Sequence, residues 1–315
     1  MNNQDKIWGC LLHLSFNMWE EYISPHRPFR GFRPDLELDE VLWREAVQAM
    51  AKNGGNMIVI DLGDAVRYES HPEIAVNGAW SPKKLREELK KMRDLGIEPI
   101  PKLNFSAGHD TWLREYSRMV STEKYYEVCA DLITEVCDLF DKPRFFHLGM
   151  DEESAGHQTH YRYIAVRQND VWWGDFYFLI TQVEKNGSRA WIWPDYMLWN
   201  HPEQFFEKMP KSVVQSNWFY GTFDNINQKD IQAYISLNQG GYEQIPAGAY
   251  LTGKYFTGIK SPELNIGGTA DFCKKNLDDR LLLGFLQTWW GPTIEENRDR
   301  IIEGIRLLGE AKKRY

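Results

Sequence analysis

The four cysteines of this 315-residue chain, Cys10, Cys129, Cys137 and Cys273, include no C-x-x-C pair. The sequence therefore offers neither a zinc knuckle nor a dithiol redox motif. Cys129 and Cys137 fall in one helical stretch, too far apart along it to be bridged, and read as small buried residues. No run of 18 or more apolar residues is present, which excludes a membrane-spanning helix. Basic residues are not in excess: 37 Lys and Arg stand against 45 Asp and Glu, without a long run of either sign. That balance lacks the electrostatic footprint of a nucleic-acid-binding protein. No secretory leader is visible, since residues 1–6 run straight into a strand-like stretch. The expectation is a cytoplasmic protein as the chain stands, or a periplasmic or secreted one if a leader was trimmed. Nothing in the sequence sets the oligomeric state.

What is present is a regular alternation of short β-like runs with amphipathic helical patterns. Strands are expected over residues 8–17, 57–61, 98–105, 144–151, 190–195, 213–218, 244–250 and 282–289. Helices are expected over 39–51, 82–95, 122–140, 171–185 and 294–313. Pro82 and Pro202 sit where helices begin, and Gly96 sits where one ends. Strand–helix alternation implies a parallel sheet covered by helices. Eight repeats without a break in composition predict one (β/α)8 TIM barrel, a single α/β domain over residues 1–315. The seventh unit is the weakest, with Pro246 and Gly248 in its strand and only a short helix around 271–275. The alternative is an open doubly wound sheet, but no Gly-rich phosphate loop follows the first strand.

A barrel of this kind carries its active site at the C-terminal ends of the strands. Polar and aromatic residues recur there: His13 and Asn17, Asp61, Lys102 and Asn104 followed by His109, Trp193 and Asp195, Asn217 and Trp218, Tyr250, and Gln287 with Trp289. The chain is also rich in aromatics, with 13 Trp, 15 Tyr and 16 Phe. Most belong to the core, but flat rings at a barrel mouth suit the apolar faces of sugars. The most informative segment is the fourth strand and its end, from Phe145 to Glu153. Side chains alternate along a strand, so Phe146, Leu148 and Met150 are expected to face the helices, and His147, Gly149 and Asp151 the interior. Glu152 falls where the strand gives way to loop. Adjacent carboxylates repel each other, which raises one pKa of the pair, and a raised carboxyl suits a general acid. An acidic triplet also serves simply to open a helix; its place at a barrel strand end favours catalysis.

The run from His147 to Glu152, His-Leu-Gly-Met-Asp-Glu, resembles the His-Ile/Leu-Gly-Gly-Asp-Glu signature of glycoside hydrolase family 20, the β-N-acetylhexosaminidases. Pro101-Lys102-Leu103-Asn104 with the later Gly108-His109 resembles that family's third-strand Pro-Glu-Ile-Asp … Gly-His, and Tyr250-Leu251-Thr252 its seventh-strand Tyr-Leu-Asp. The resemblance runs from the third strand to the eighth. It implies a barrel hydrolase in which Glu152 protonates the leaving oxygen and Asp151 orients the substrate's own acetamido group, the nucleophile. It also implies that Tyr250 bonds the acetamido oxygen and that Trp193 and Trp289 wall the sugar, with no metal and no cofactor. This is the substrate-assisted exception to the two-carboxylate scheme. The chain departs from the family pattern at Met150, at Thr252, after Trp289, and in the first strand, which lacks a sugar-gripping Arg. These departures imply a different glycon or lost activity.

The expected catalytic residues are therefore Asp151 and Glu152. The expected carbohydrate contacts are Asn104, His109, Trp193, Asp195, Asn217, Trp218, Tyr250 and Trp289. Asp195 is the second carboxylate if the substrate lacks an acetamido group. Two alternatives stay open. One is a metal-dependent sugar enzyme using His157 and His160 with Asp151 or Glu153. The other is a barrel that binds carbohydrate without turning it over.

Overall fold

Every residue of Ile7–His13 and of Met57–Asp61 is buried, as strands covered on both faces must be. The computed structural model describes residues 6–25, 27, 29–252, 256 and 259–315. The leader expectation concerned residues 1–6, of which 1–5 lie outside the described residues. Eight strands alternate with helices: β1 (Ile7–His13), α1 (Glu40–Lys52), β2 (Met57–Asp61), α2 (Pro82–Asp94), β3 (Glu98–Lys102), α3 (Glu123–Leu139), β4 (Phe145–His147) and α4 (Asn169–Lys185). The second half follows with β5 (Arg189–Ile192), α5 (Asp195–Trp199), α6 (Pro202–Lys208), β6 (Val214–Gln215), α7 (Lys229–Gln239), β7 (Ala247–Ala249), α8 (Asn265–Asn276), β8 (Gly284–Thr288) and α9 (Arg298–Arg314).

All strand pairs are parallel, in the order β6-β5-β4-β3-β2-β1-β8-β7. The two ends of that order meet. Ile245 donates its N–H to the Gln215 carbonyl (3.0 Å) and Ala247 to that of Asn217 (2.8 Å), closing β6 onto the approach to β7. The protein is thus the expected (β/α)8 barrel. Helix starts follow the capping chemistry of the sequence: the Asp39 carboxylate accepts from Val41 and Leu42, and Ser81 caps α2 ahead of Pro82. Gly96 ends α2 at φ +76°.

Two expectations are corrected. Most strands stop short of their predicted C-terminal ends. The residues there leave the regular ladder; Leu14 and Ser15, for example, both donate to the single Asp61 carbonyl at the end of β2. The helix of the seventh unit, α8, is longer than residues 271–275: it starts at Asn265, and Gly267 and Gly268, poor helix formers, hid its first turns in the sequence.

Candidate active site

Strand register builds a polar layer beneath the mouth. His13 pairs with Asp61, Asp61 with Lys102, and Lys102 with His147. The Lys102 ammonium bonds the Asp61 carboxylate, and His13 Nδ1 lies 3.5 Å from the same oxygen, all of it buried. Burial raises the Asp61 pKa, but the Lys102 charge and the His13 contact outweigh it and hold the carboxyl low. His147 is wedged against Trp191 and Trp193, ring centroids 4.9 and 4.7 Å away, and its Nδ1 accepts from the Gly149 N–H (3.0 Å). Burial and the nearby Lys102 charge keep this imidazole neutral. The layer is a support under the site, and Asp61 belongs to it rather than to the mouth.

Above β4 the backbone takes left-handed conformations at Gly149, Met150 and Glu152 (φ +73°, +71° and +50°). Gly149 is required twice over: it needs positive φ, and a Cβ there would sit 2.0 Å from Asn104 Oδ1. Met150, where the resembled signature has glycine, is held at positive φ, with the strain of a side chain there. This twist ends the strand at His147 and turns consecutive carboxylates toward one place.

Asp151 is buried. Asn104 donates from Nδ2 to its Oδ1 (2.8 Å), while Asn104 Oδ1 accepts from the N–H groups of Ser106 and Met150, which fixes the amide orientation. His109 Nε2 lies 3.4 Å from Asp151 Oδ2 and 3.3 Å from Glu152 Oε2, and the ring packs edge-on against Trp19. His157 Nε2 is 3.4 Å from the other Glu152 oxygen. Burial raises the Glu152 pKa, but the contacts with His109 and His157 outweigh it and hold the carboxyl well below its usual range. The same contact raises the His157 pKa. The carboxyl pushed up is Asp195, by burial and by the charges of Asp151 and Glu152. The expectation of a raised carboxyl within the adjacent pair is corrected for Glu152, whose carboxyl is lowered. Asp195 Oδ1 accepts the Glu152 N–H (3.2 Å) and Oδ2 the Trp218 indole N–H (3.0 Å).

Glu153 is withdrawn from the mouth. Its carboxylate joins the buried Arg167 guanidinium (2.6 Å), which also reaches Asp175 (3.0 Å) and the Phe105 carbonyl (2.6 Å). Among the described residues, the metal-ligand atoms that converge are those of His109, Asp151 and Glu152, within 4.8 Å of one another. His160 is not among them, and Glu153 is occupied by Arg167.

Asp151 and Glu152 open onto a cavity of about 190 Å³ walled by Trp19, Trp193, Trp218 and Trp290, with Arg30, Tyr220, Leu251 and Phe256 completing it. The Trp290 indole donates to the Tyr220 hydroxyl (2.8 Å), which also contacts the Thr288 hydroxyl. Three sequence expectations are corrected here by side-chain alternation. On β7, Gly248 faces α8, so Tyr250 turns outward toward α9 and its charged neighbours, and Leu251 turns in. Trp289 likewise faces Gly304 of α9, and Trp290, at φ +41°, lines the cavity. Asn217 donates to the Asp230 carbonyl of α7, and Trp218 is the neighbour that points in. Trp19 and Arg30 were missed because they come from the long β1–α1 loop, where periodicity says nothing; the guanidinium stacks 4.2 Å over the Trp19 ring. Tyr220 was missed because it lies beyond the expected end of the sixth strand.

Fold and mouth together define a class: (β/α)8 barrels with paired carboxylates in an aromatic-walled pocket. No family model and no curated protein matches the sequence. Among solved structures, the chain is similar to a β-N-acetylhexosaminidase from Bacteroides fragilis (TM-score 0.67, 13% identity, covering 96% of this chain and 65% of that one). It is also similar to a GH20 exo-β-N-acetylglucosaminidase from Vibrio harveyi (TM-score 0.64, 13% identity, 96% and 54%). A GH20 β-N-acetylhexosaminidase from Streptomyces coelicolor gives the same TM-score and identity, covering 97% and 64%. The fold is that of the barrels in these enzymes, and the chain spans between about half and two thirds of their length.

Proposed function

We propose that the chain is a glycoside hydrolase that removes a terminal 2-acetamido sugar with retention of configuration, without a cofactor. The observation that carries this reading is the Asp151–Glu152 pair opening side by side onto a tryptophan-walled cavity of about 190 Å³, small enough to favour a single sugar ring. Asn104 occupies one oxygen of Asp151, which leaves the other to accept the acetamido N–H. Tyr220 donates its O–H to the acetamido oxygen, the role that the family resemblance gives to Tyr250. That oxygen attacks the anomeric carbon as the bond to the leaving oxygen breaks, and Glu152 gives the leaving oxygen its proton. Water then adds to the anomeric carbon of the oxazolinium, passes a proton to Glu152 and restores the acetamide. Arg30 supplies the cation for sugar hydroxyls that the first strand lacks.

The contacts with His109 and His157 favour the carboxylate form of Glu152. The contact with Glu152 favours a proton on His157, so that the Glu152–His157 pair can share one. A sugar that expels water from the cavity disfavours the separated charges and moves that proton onto Glu152.

The test is Glu152→Gln. General acid catalysis is worth about 10²–10⁴-fold, so the loss is expected to be large for alkyl 2-acetamido glycosides and small for dinitrophenyl ones. Equal losses on both would remove Glu152 from the role of acid. The convergence of His109, Asp151 and Glu152 supports a second reading, a divalent cation that polarises the substrate. A stoichiometric metal in the purified protein, with activity lost on chelation, would favour it.

A further inference from the structure

Glu152 stands between two cavities. The smaller is the sugar pocket described above. The larger, about 460 Å³, lies on the other side of the Glu152 carboxylate and shares no other residue with the first. The proton donor of a glycosidase must reach the oxygen that joins the departing group to the sugar. On the proposed function, which this inference rests on, whatever leaves the small pocket past Glu152 enters the large one.

The lining says what fits there. Trp172 and Tyr196 pack together at its inner side, centroids 4.3 Å apart, both buried. At its rim Trp199, the last residue of α5, keeps 62% of its surface exposed. A large indole left uncovered beside a cavity is a platform for a ring. Its uncharged polar lining is Ser154, Gln168 and Asn200, beside Asp195, whose carboxyl is pushed up by burial and by the charges of Asp151 and Glu152. The charges nearby are already engaged. Arg167 and Glu153 hold each other, His157 pairs with Glu152, and Lys229, 5.9 Å over the Trp199 ring, bonds the Leu198 carbonyl. Among the described residues of the lining, no cation is left over to select an acidic group.

We propose that this cavity binds the leaving-group sugar, and that the substrate is an oligosaccharide whose second unit is a neutral pyranose stacked on Trp199. The cavity is more than twice the size of the sugar pocket, room for at least one further ring.

Trp199→Ala tests this, and the exposed position makes a folding failure improbable on physical grounds. Two substrates with the same 2-acetamido sugar are compared: its β-linked disaccharide, and its glycosyl fluoride, whose leaving group is too small to occupy the second cavity. Losing a stacked ring is expected to lower kcat/KM for the disaccharide about 10-fold more than for the fluoride. Equal changes would overturn the proposal. If wild type hydrolyses neither substrate, it is the proposed function that has failed. The cavity is then tested by titrating wild type and Trp199→Ala with the neutral trisaccharide, followed by tryptophan fluorescence. Binding that weakens about 10-fold in the variant supports the site; unaltered binding, or none to wild type, overturns it.

Discussion

Arg167 and Glu153 meet at 2.6 Å with about 2% and 5% of their side chains exposed. The third carboxylate of the acidic triplet is thereby turned away from the mouth and made the anchor of the loop that carries the other two. The same Glu153 accepts the Ala107 N–H (3.0 Å), and Arg167 spans to Asp175 of α4. Replacing Arg167 with Met leaves two carboxylates buried without their partner. Breaking such a pair from one side costs about 3–5 kcal/mol. Denaturant unfolding of Arg167→Met is expected to show a loss of that size; a change below about 1 kcal/mol would remove the clamp from the account.

In the proposed function the acetamido contact falls to Tyr220, which lines the pocket, and Tyr250 lies outside it. Tyr220→Phe is expected to lower kcat on an aryl 2-acetamido glycoside about 10- to 100-fold, the worth of one hydrogen bond to a charged centre. Tyr250→Phe is expected to stay within about twofold. The reverse pattern would restore the assignment drawn from the family resemblance.

That exchange shows how much of the molecule was legible in the sequence. The barrel was, because eight apolar strand cores and their helix caps each carry a local signal, and so was the convergence of Asp151, Glu152, Asn104 and His109. Which neighbour faces inward was not. Tyr250 or Leu251, Trp289 or Trp290, and Asn217 or Trp218 are separated by one residue, and one step along a strand exchanges inside for outside. Trp19 and Arg30 reach the pocket from a loop whose path is set by contacts far along the chain, and residues of that kind leave no periodic trace. The titration of Glu152 was also hidden, since it is set by His109, which the barrel brings in from beyond β3, and by how its own loop folds His157 back onto it.

His157 gives the reaction a pH dependence with a definite sign. Its contact with Glu152 raises its pKa above the ordinary 6.5. The proton shared by the pair is present below the raised value and lost as pH rises through it. The kcat/KM profile should therefore fall on an alkaline limb that lies above pH 6.5. In His157→Gln, Glu152 must hold the proton alone, so that limb should move to lower pH. A limb that stays in place would exclude His157 from the proton transfer.

The loop bearing Trp19 and Arg30 is tied down by Asp64, which accepts from Ser15 Oγ (2.6 Å) and Asn17 Nδ2 (2.9 Å). Burial pushes the Asp64 carboxyl up to about 7. The folded protein then binds more protons than the unfolded chain between about pH 4 and that value, so stability contributed by Asp64 falls as pH rises through this window, by roughly a few kcal/mol. Asp64→Asn should flatten the slope of unfolding free energy against pH in that window. An unchanged slope would place the titration elsewhere.

The central claim is that the substrate's own acetamido group is the nucleophile held by Asp151 and Tyr220. It is tested most directly by the rates of wild-type protein on two aryl glycosides that differ only at C2, one with an acetamido group and one with a hydroxyl. The account predicts turnover of the acetamido sugar at least about 100-fold faster, the scale of one well-placed catalytic group. Equal rates on the two substrates would contradict it and leave Asp195 as the carboxylate to test next.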